Sequence, residues 1–392
     1  MNLDFIEDNA DKLLEYMVEV RRYLHRHPEL SKEEHNTQKY IMHKLKEESI
    51  PCYAIADTGV VGIIEGRRNG RVVGIRADID ALPIMEESDK EYCSGNKGVM
   101  HACGHDAHTA ILLGVAKAFN SIREQLDGSI KLFFQPAEET TGGAKRMVEE
   151  GCMENPEVDY VIGLHVMPYI PYDTVELKYG DANAATNAIK ITVKGKSAHG
   201  AYPEKGVDAI LAASHMVCAL QSLVSRNVSP LNPCVLTIGM INGGVKENVI
   251  AEEVVLKGTL RTLNPETRSY MKKRIADLCM GIASSFQAGC SIEVIDDYPA
   301  LINDNEMIEI IKMSAEQVLG KDKIHIKEYP SLGSEDFQYF AENIPGAFYS
   351  VGCRLEEKGE YALHTKDFDI DERCLKTGLL VHAAAVLNLM RR

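Results

Sequence analysis

Apolar residues recur at helical spacing through residues 7–25, where Leu13, Leu14, Met17, Val20 and Leu24 share a stripe, and through 33–46 with Tyr40, Ile41 and Leu45. The pattern predicts two surface helices. Short apolar runs follow at 60–65 and 72–77, separated by a turn around Arg68-Asn69-Gly70, and they predict a strand pair. Residues 109–122 return to helical spacing with Ile111, Leu112, Val115, Ala116 and Phe119, whereas 130–134 and 159–164 are runs too short for helices. Strands alternating with helices in this way predict an α/β sheet.

Each of these runs ends in polar residues. The run at 72–77 leads into Asp78 and Asp80, that at 130–134 leads to Glu138 and Glu139, and that at 159–164 ends at His165. In open α/β sheets the ligand crevice lies beyond the carboxyl ends of the strands, so five such residues point to one shared site. From about residue 182 the texture changes to strand 189–193, helix 208–223, strands 235–242 and 254–262, helix 265–286 and strand 291–295. That βαββαβ order is the ferredoxin-like motif, and it reads as an insertion. The α/β texture resumes with a helix at 306–319, a strand at 347–351 and a final helix at 372–390. The expected organisation is a mixed sheet flanked by helices built from 1–181 and 298–392, interrupted by a domain at 182–297.

A chain of 392 residues exceeds what one core ordinarily supports, which agrees with two domains. The formal net charge of -15 argues against nucleic acid or an anionic membrane as partner and favours a small metabolite. No apolar run is expected to reach the ~18 residues of a membrane span. Ten cysteines without paired spacing read as reduced thiols, so a cytoplasmic protein is expected.

The densest chemistry lies at residues 100–108, where His101, Cys103, His105, Asp106 and His108 stand within nine positions. Cys103 and His105 can point into one cavity if the chain turns at Gly104, as metal ligands do. A small buried cysteine beside a hydrogen-bonded histidine is the competing reading of those two residues alone. Asp106 is placed to cap the helix that follows. In the inserted region, the polar loop from Gly195 to Gly200 carries one unusual residue, His199.

Taken together, Arg76-Ala77-Asp78-Ile79-Asp80-Ala81-Leu82-Pro83, Cys103-Gly104-His105, Gln135-Pro136-Ala137-Glu138-Glu139, Gly163-Leu164-His165-Val166, Ser197-Ala198-His199, Gly333-Ser334-Glu335-Asp336-Phe337 and Leu363-His364 resemble, in order, the motifs of the M20 metallopeptidase family. They are most similar to its amidohydrolase branch of aminoacylases, hippurate hydrolases and indole-acetyl-amino-acid hydrolases. The resemblance implies that Cys103, His105, Glu139, His165 and His364 are metal ligands and that Glu138 is the general base. It also implies that the inserted domain is a lid and dimerisation domain, with His199 reaching the neighbouring subunit's site. Lys366 and Ala251 stand where the branch usually has proline.

Five protein ligands are too many for one tetrahedral ion, which suggests two divalent ions about 3.5 to 4 Å apart, with Cys103 the candidate bridge. Thiolate and imidazole favour zinc, nickel or cobalt, and manganese is also compatible. Asp78, Asp80 and Asp106 are expected to orient imidazoles. His199 is expected to donate to a tetrahedral oxyanion, and Arg261, near the resemblance-supported Asn248, to pair with a substrate carboxylate. The expected activity is hydrolysis of N-acyl-L-amino acids, N-acetyl or N-aroyl, to a carboxylic acid and a free amino acid by a homodimer. A dipeptidase or carboxypeptidase using the same mechanism is the first alternative. A non-catalytic metal- or metabolite-binding protein is the second, and an intact Glu138 speaks against it.

Overall fold

A computed structural model of the chain describes residues 3–140, 142–355 and 362–392. Two compact units emerge: unit 1 is 1–180 with 302–329 and 336–392, and unit 2 is 181–301 with 330–335.

Along the chain, helices α1 (Asp4–Asp8), α2 (Ala10–Arg26) and α3 (His35–Glu47) precede strands β1 (Cys52–Ile55), β2 (Gly59–Glu65) and β3 (Arg68–Asp78). Helix α4 (His105–Ser121), strand β4 (Asp127–Gln135), helix α5 (Gly143–Glu149) and strands β5 (Tyr160–Pro171) and β6 (Val175–Leu177) follow. Strand β7 (Gly180–Asn183) leads into unit 2, which holds β8 (Ala185–Lys194), α6 (Ala209–Ser222), β9 (Cys234–Gly243), β10 (Glu253–Thr262), α7 (Pro265–Ser285) and β11 (Gly289–Asp296). Strand β12 (Leu301–Asn303) returns the chain to unit 1, completed by α8 (Asn305–Leu319), β13 (Ile324–Ile326), β14 (Gly346–Arg354) and α9 (Cys374–Met390).

Unit 1 is built on an eight-stranded mixed sheet in the order β1-β2-β4-β3-β5-β14-β6-β13. The predicted pairing of the 60–65 and 72–77 runs does not form. Strand β2 pairs antiparallel with β4, and β3 lies parallel between β4 and β5. The physical reason is burial: β3 is buried at every position from Val72 to Asp78, and a strand covered on both faces belongs in the parallel interior of a sheet. Nor is Arg68-Asn69-Gly70 the turn; these residues open β3, with a register shift against β4 between Arg68 and Arg71. Helices α4 and α9 are buried around most of their circumference and form the centre of the core with α2.

Unit 2 contains one four-stranded antiparallel sheet in the order β11-β8-β10-β9, with α6 and α7 packed on it. Numbered within the unit this is 4-1-3-2, the arrangement expected of the βαββαβ order. The 19-residue segment Ala209–Asn227, with a mean hydropathy of 1.2 over its most apolar 18 residues, meets the length and composition of a membrane span. This corrects the expectation that no such run exists. Its inward stripe of Ala209, Ala212, Ala213, Met216 and Leu220 packs in the core of unit 2.

Candidate metal centre

Gly104 caps α4 with φ +89°, a left-handed conformation that costs glycine nothing, and a Cβ there would come 2.4 Å from Val166 Cγ2. The turn aims Cys103 and His105 into one crevice of unit 1. Asp106 therefore does not cap the helix. Strand β4 ends at Gln135, and the chain passes through Ala137, held at φ +54°, to Glu138 and Glu139. His165 is not at a strand end as expected, because β5 continues to Pro171. It faces the crevice because β3 leaves β5 at Arg76↔Gly163, two residues earlier. His364, at φ +62°, is tied to the Cys103 loop by its backbone N–H, which donates to the Ala102 carbonyl at 2.8 Å. Non-glycine residues in this conformation persist where the surroundings impose it.

The five expected ligands meet in one chain of contacts. Cys103 Sγ lies 3.4 Å from His165 Nε2 and 3.3 Å from His364 Nε2. His364 Nε2 is 3.2 Å from Glu139 Oε1, which is 3.9 Å from His105 Nε2. Donors sharing a tetrahedral ion at about 2.0–2.3 Å stand roughly 3.3–3.8 Å apart, so this spacing fits metal ligation. Buried polar atoms usually find hydrogen-bond partners, yet His105 Nε2 and Glu139 Oε1 have none. Among the described residues the donors group as Cys103-His105-His165 and Cys103-Glu139-His364, which share the thiol, and as His105-Glu138-Glu139, which links the two and brings in Glu138. The arrangement thus fits two ions of the thiolate- and imidazole-binding type.

The imidazoles are oriented by their other nitrogens. His105 Nδ1–H points at the Asp80 carbonyl at 3.0 Å and Asp80 Oδ1 at 3.1 Å; burial disfavours the charged ring, but Asp78, Cys103 and Asp80 outweigh it and raise its pKa well above the ordinary value, so an ion bound at Nε2 would take the place of a proton. His165 Nδ1–H donates to the Val166 carbonyl at 2.8 Å, and burial, with His108 nearby, drives its pKa well down, so it is held as the neutral imidazole a metal requires. Burial pushes the Cys103 thiol well up, against the pull of His105.

His108 sits beside these donors but has no free nitrogen. Its Nδ1–H donates to Asp78 Oδ1 at 2.6 Å and its Nε2 accepts the Val166 N–H at 2.9 Å, which makes it a tie between strands rather than a ligand. Asp78 thus orients His108. Burial disfavours its carboxylate, but Arg76, at 2.8 Å, with His105 and His108 outweighs that and holds its pKa well below the ordinary range. Asp106 departs from expectation: it turns away from the donors and accepts from His25 Nδ1 at 2.8 Å and Arg21 Nε at 3.0 Å. Sequence reasoning missed this buried group because Arg21 and His25 look like ordinary residues of an amphipathic helix. Arg21 also reaches Asp369 and Glu372, each at 3.0 Å.

In unit 2, His199 is exposed, and its Nδ1 accepts the Ala201 N–H at 3.0 Å, so Nε2 carries the hydrogen. Its loop joins that of Asn248, whose carbonyl accepts the Gly200 N–H at 2.8 Å. Arg261 is not near Asn248. Asn248 precedes β10, whose first residue is Glu253, and Arg261 lies near the other end of that strand, roughly 26 Å from Glu253 at about 3.3 Å per residue; Arg261 donates to the Leu332 carbonyl at 3.3 Å.

The model of peptidase family M20/M25/M40 matches residues 74–388. An N-acetyl-L-cysteine deacetylase of Bacillus subtilis is 41% identical over 369 residues, covering 94% of this chain and 86% of that protein. Thermostable carboxypeptidase 2 of Saccharolobus solfataricus is 35% identical and covers 99% of this chain and 98% of its own. A crystal structure of a Bacillus subtilis protein described as a dinuclear metal-binding peptidase of the M20 family superposes with a TM-score of 0.85 at 32% identity, covering 97% of this chain and 99% of that one. That structure, the matched segment and the α/β sheet with its inserted unit agree: the chain belongs to peptidase family M20/M25/M40.

Proposed function

We propose that this metal-dependent hydrolase cleaves the amide bond of N-acyl-L-amino acids, N-acetyl or N-aroyl, releasing a carboxylic acid and a free amino acid. The observation that carries the reading is the convergence of five metal-type donors on one crevice in unit 1, with the buried carboxylate of Glu138 beside them. In this reading Cys103, His105, Glu139, His165 and His364 hold two divalent ions, zinc, manganese, cobalt or nickel, with Cys103 the shared donor. Ions held by these residues would supply polarisation of the scissile carbonyl and a water acidified from a pKa of ~15.7 to about 7.

The chain's own residues do the rest. Glu138 takes the proton from water and passes it to the departing nitrogen. Asp80 fixes the His105 ring, and Asp78 fixes His108 behind the donors. His199, with its hydrogen on Nε2, donates to the tetrahedral oxygen, a contribution of about 3 to 4 kcal/mol. His199 serves the neighbouring subunit, Asn248 contacts the substrate, and Arg261 pairs with a substrate carboxylate. Unit 2 supplies the homodimer contact: β9 is an unpaired sheet edge on which Met240 and Ile241 are about half exposed. A cytoplasmic setting suits the ten cysteines, all of them free.

The relative named as a carboxypeptidase favours a second reading, cleavage of peptides by the same residues. A panel of N-acetyl amino acids, N-benzoyl amino acids and dipeptides, assayed with metal-defined enzyme, separates the two. Hydrolysis of the acylated substrates is expected. Activity confined to substrates with a free α-amine would move the assignment to a peptidase.

A further inference from the structure

Glu34 stands at the N-cap of α3 and does not cap it. Carboxylates at that position ordinarily accept from the first N–H groups of the helix. Here Glu29 does so instead, accepting from Asn36 N at 2.9 Å and Thr37 N at 2.8 Å. The side chain of Glu34 is fully buried, and both its oxygens are used: Oε1 accepts the Ala137 N–H at 2.8 Å and Oε2 the Thr58 hydroxyl at 2.6 Å. Burying a carboxylate is costly unless it is hydrogen-bonded, and a carboxylate directed onto one backbone amide needs a reason.

Ala137 provides it. This residue is in the left-handed region, its carbonyl accepts the Gly142 N–H at 3.1 Å, and it immediately precedes Glu138. On the other side of Glu138, the Glu139 N–H donates to Asp80 Oδ2 at 3.0 Å. The amides of the residues before and after Glu138 are thus each held by a buried carboxylate. Asp80 was expected to matter because it stands at a strand end, but nothing in the local sequence marks Glu34.

We propose that Glu34 is a positioning residue of the hydrolytic site: by holding the Ala137 amide it sets where Glu138 and Glu139 point. The inference rests on the reading of Glu138 as base and Glu139 as ligand. A misplacement of about 1 Å in catalytic groups costs about 10²-fold in rate, and loss of outer partners weakens metal binding about 10- to 100-fold.

The test uses the full-length, metal-loaded protein and the variants Glu34→Ala, Glu34→Gln, Thr58→Val and Glu139→Gln. It reads kcat and KM on an N-acyl amino acid, metal affinity by chelator competition, and the visible spectrum of the cobalt-loaded form. Glu34→Ala is expected to lose about 10²-fold in kcat with KM within about twofold, to bind metal about 10-fold or more weakly, and to alter the cobalt spectrum. Glu34→Gln, which can still accept the Ala137 N–H and donate to Thr58, should recover most of all three. A folded Glu34→Ala with wild-type kcat and metal affinity overturns the inference, as does a Glu34→Gln no better than Glu34→Ala. If Glu34→Ala does not fold, Thr58→Val decides: a fall of about 2- to 10-fold in kcat supports the inference, and an unchanged kcat overturns it. Glu139→Gln is the control on the underlying reading. If it keeps its metal, the assignment of Glu139 itself fails, whatever Glu34 does.

Discussion

The donors of unit 1 and the polar residues of unit 2 were recognised by the same kind of motif, yet they are held very differently. Cys103, His105 and His165 are buried, and each of the two imidazoles is locked through its second nitrogen by Asp80 or Val166, whereas His364 is an exposed donor fixed by its backbone N–H to the Ala102 carbonyl. His199 and Asn248 are exposed loop residues steadied by a few local hydrogen bonds. Rigid, pre-paid geometry suits the proposed ligands, which would hold an ion before any substrate arrives. Exposed groups on a separate unit suit contacts made only when substrate or a second subunit is present.

The sharpest way to break this contrast is to remove the metal. Chelation is expected to abolish hydrolysis of N-acyl amino acids, and zinc, cobalt, nickel or manganese to restore it, with elemental analysis approaching two ions per chain. Full activity in metal-free protein would sink the unit 1 assignment.

The next effect separates two neighbours in the rigid region. Glu138→Gln should lose at least ~10² in kcat with metal retained, because the amide cannot accept the proton. Glu139→Gln should instead lose metal, as read by elemental analysis. The reverse outcome would exchange their roles.

A third experiment addresses unit 2. His199→Ala and Glu138→Ala, each inactive alone, are mixed and reassembled. If His199 serves the neighbouring subunit, each heterodimer has one complete site, and random exchange recovers roughly a quarter of wild-type activity. No recovery, with heterodimers verified by mass, would place His199 at its own chain's site.

The smallest effect concerns stability in unit 1. His25 is buried between Asp106 at 2.8 Å and Glu86 at 3.4 Å, beside Arg21, Tyr92 and His101. Burial lowers its pKa, but the two carboxylates outweigh burial and the net shift is upward. A raised histidine stabilises the fold fully below its unfolded value of about 6.5, and the contribution is lost as pH rises through the folded value. Thermal stability should therefore fall above about pH 6.5, with a slope from this group of at most about 1.4 kcal/mol per pH unit, and His25→Gln should remove that component.

Much of unit 1 could be read from the chain because its signals are local. Cys103-Gly104-His105 announces a turn between two donors, and Glu138-Glu139 follows an apolar run directly. The βαββαβ order of unit 2 was legible for the same reason, each element carrying its own periodicity. What escaped was non-local. Whether β2 pairs with β3 or β4 depends on which strands are covered on both faces, a property of the assembled sheet. Asp106 reads as a partner of the nearby imidazoles because nothing close to it in sequence marks Arg21, 85 positions earlier, as its partner. Arg261 and Asn248 are close in sequence, but sequence distance says nothing of direction along β10, which carries the two apart.

The discontinuity of unit 1 has a bearing on how the protein is made. Cys103, His105, Glu139 and His165 all precede unit 2 in the chain, whereas His364 follows it. At translation rates of about 5–20 residues per second, the roughly 200 residues after His165 take about 10 to 40 s to emerge. During that interval the nascent chain presents four donors and lacks the fifth. His364 lies between β14 and α9, so on the proposed assignment the ligand set would be complete only after the inserted unit and β14 have been made, and stable loading would come late in synthesis.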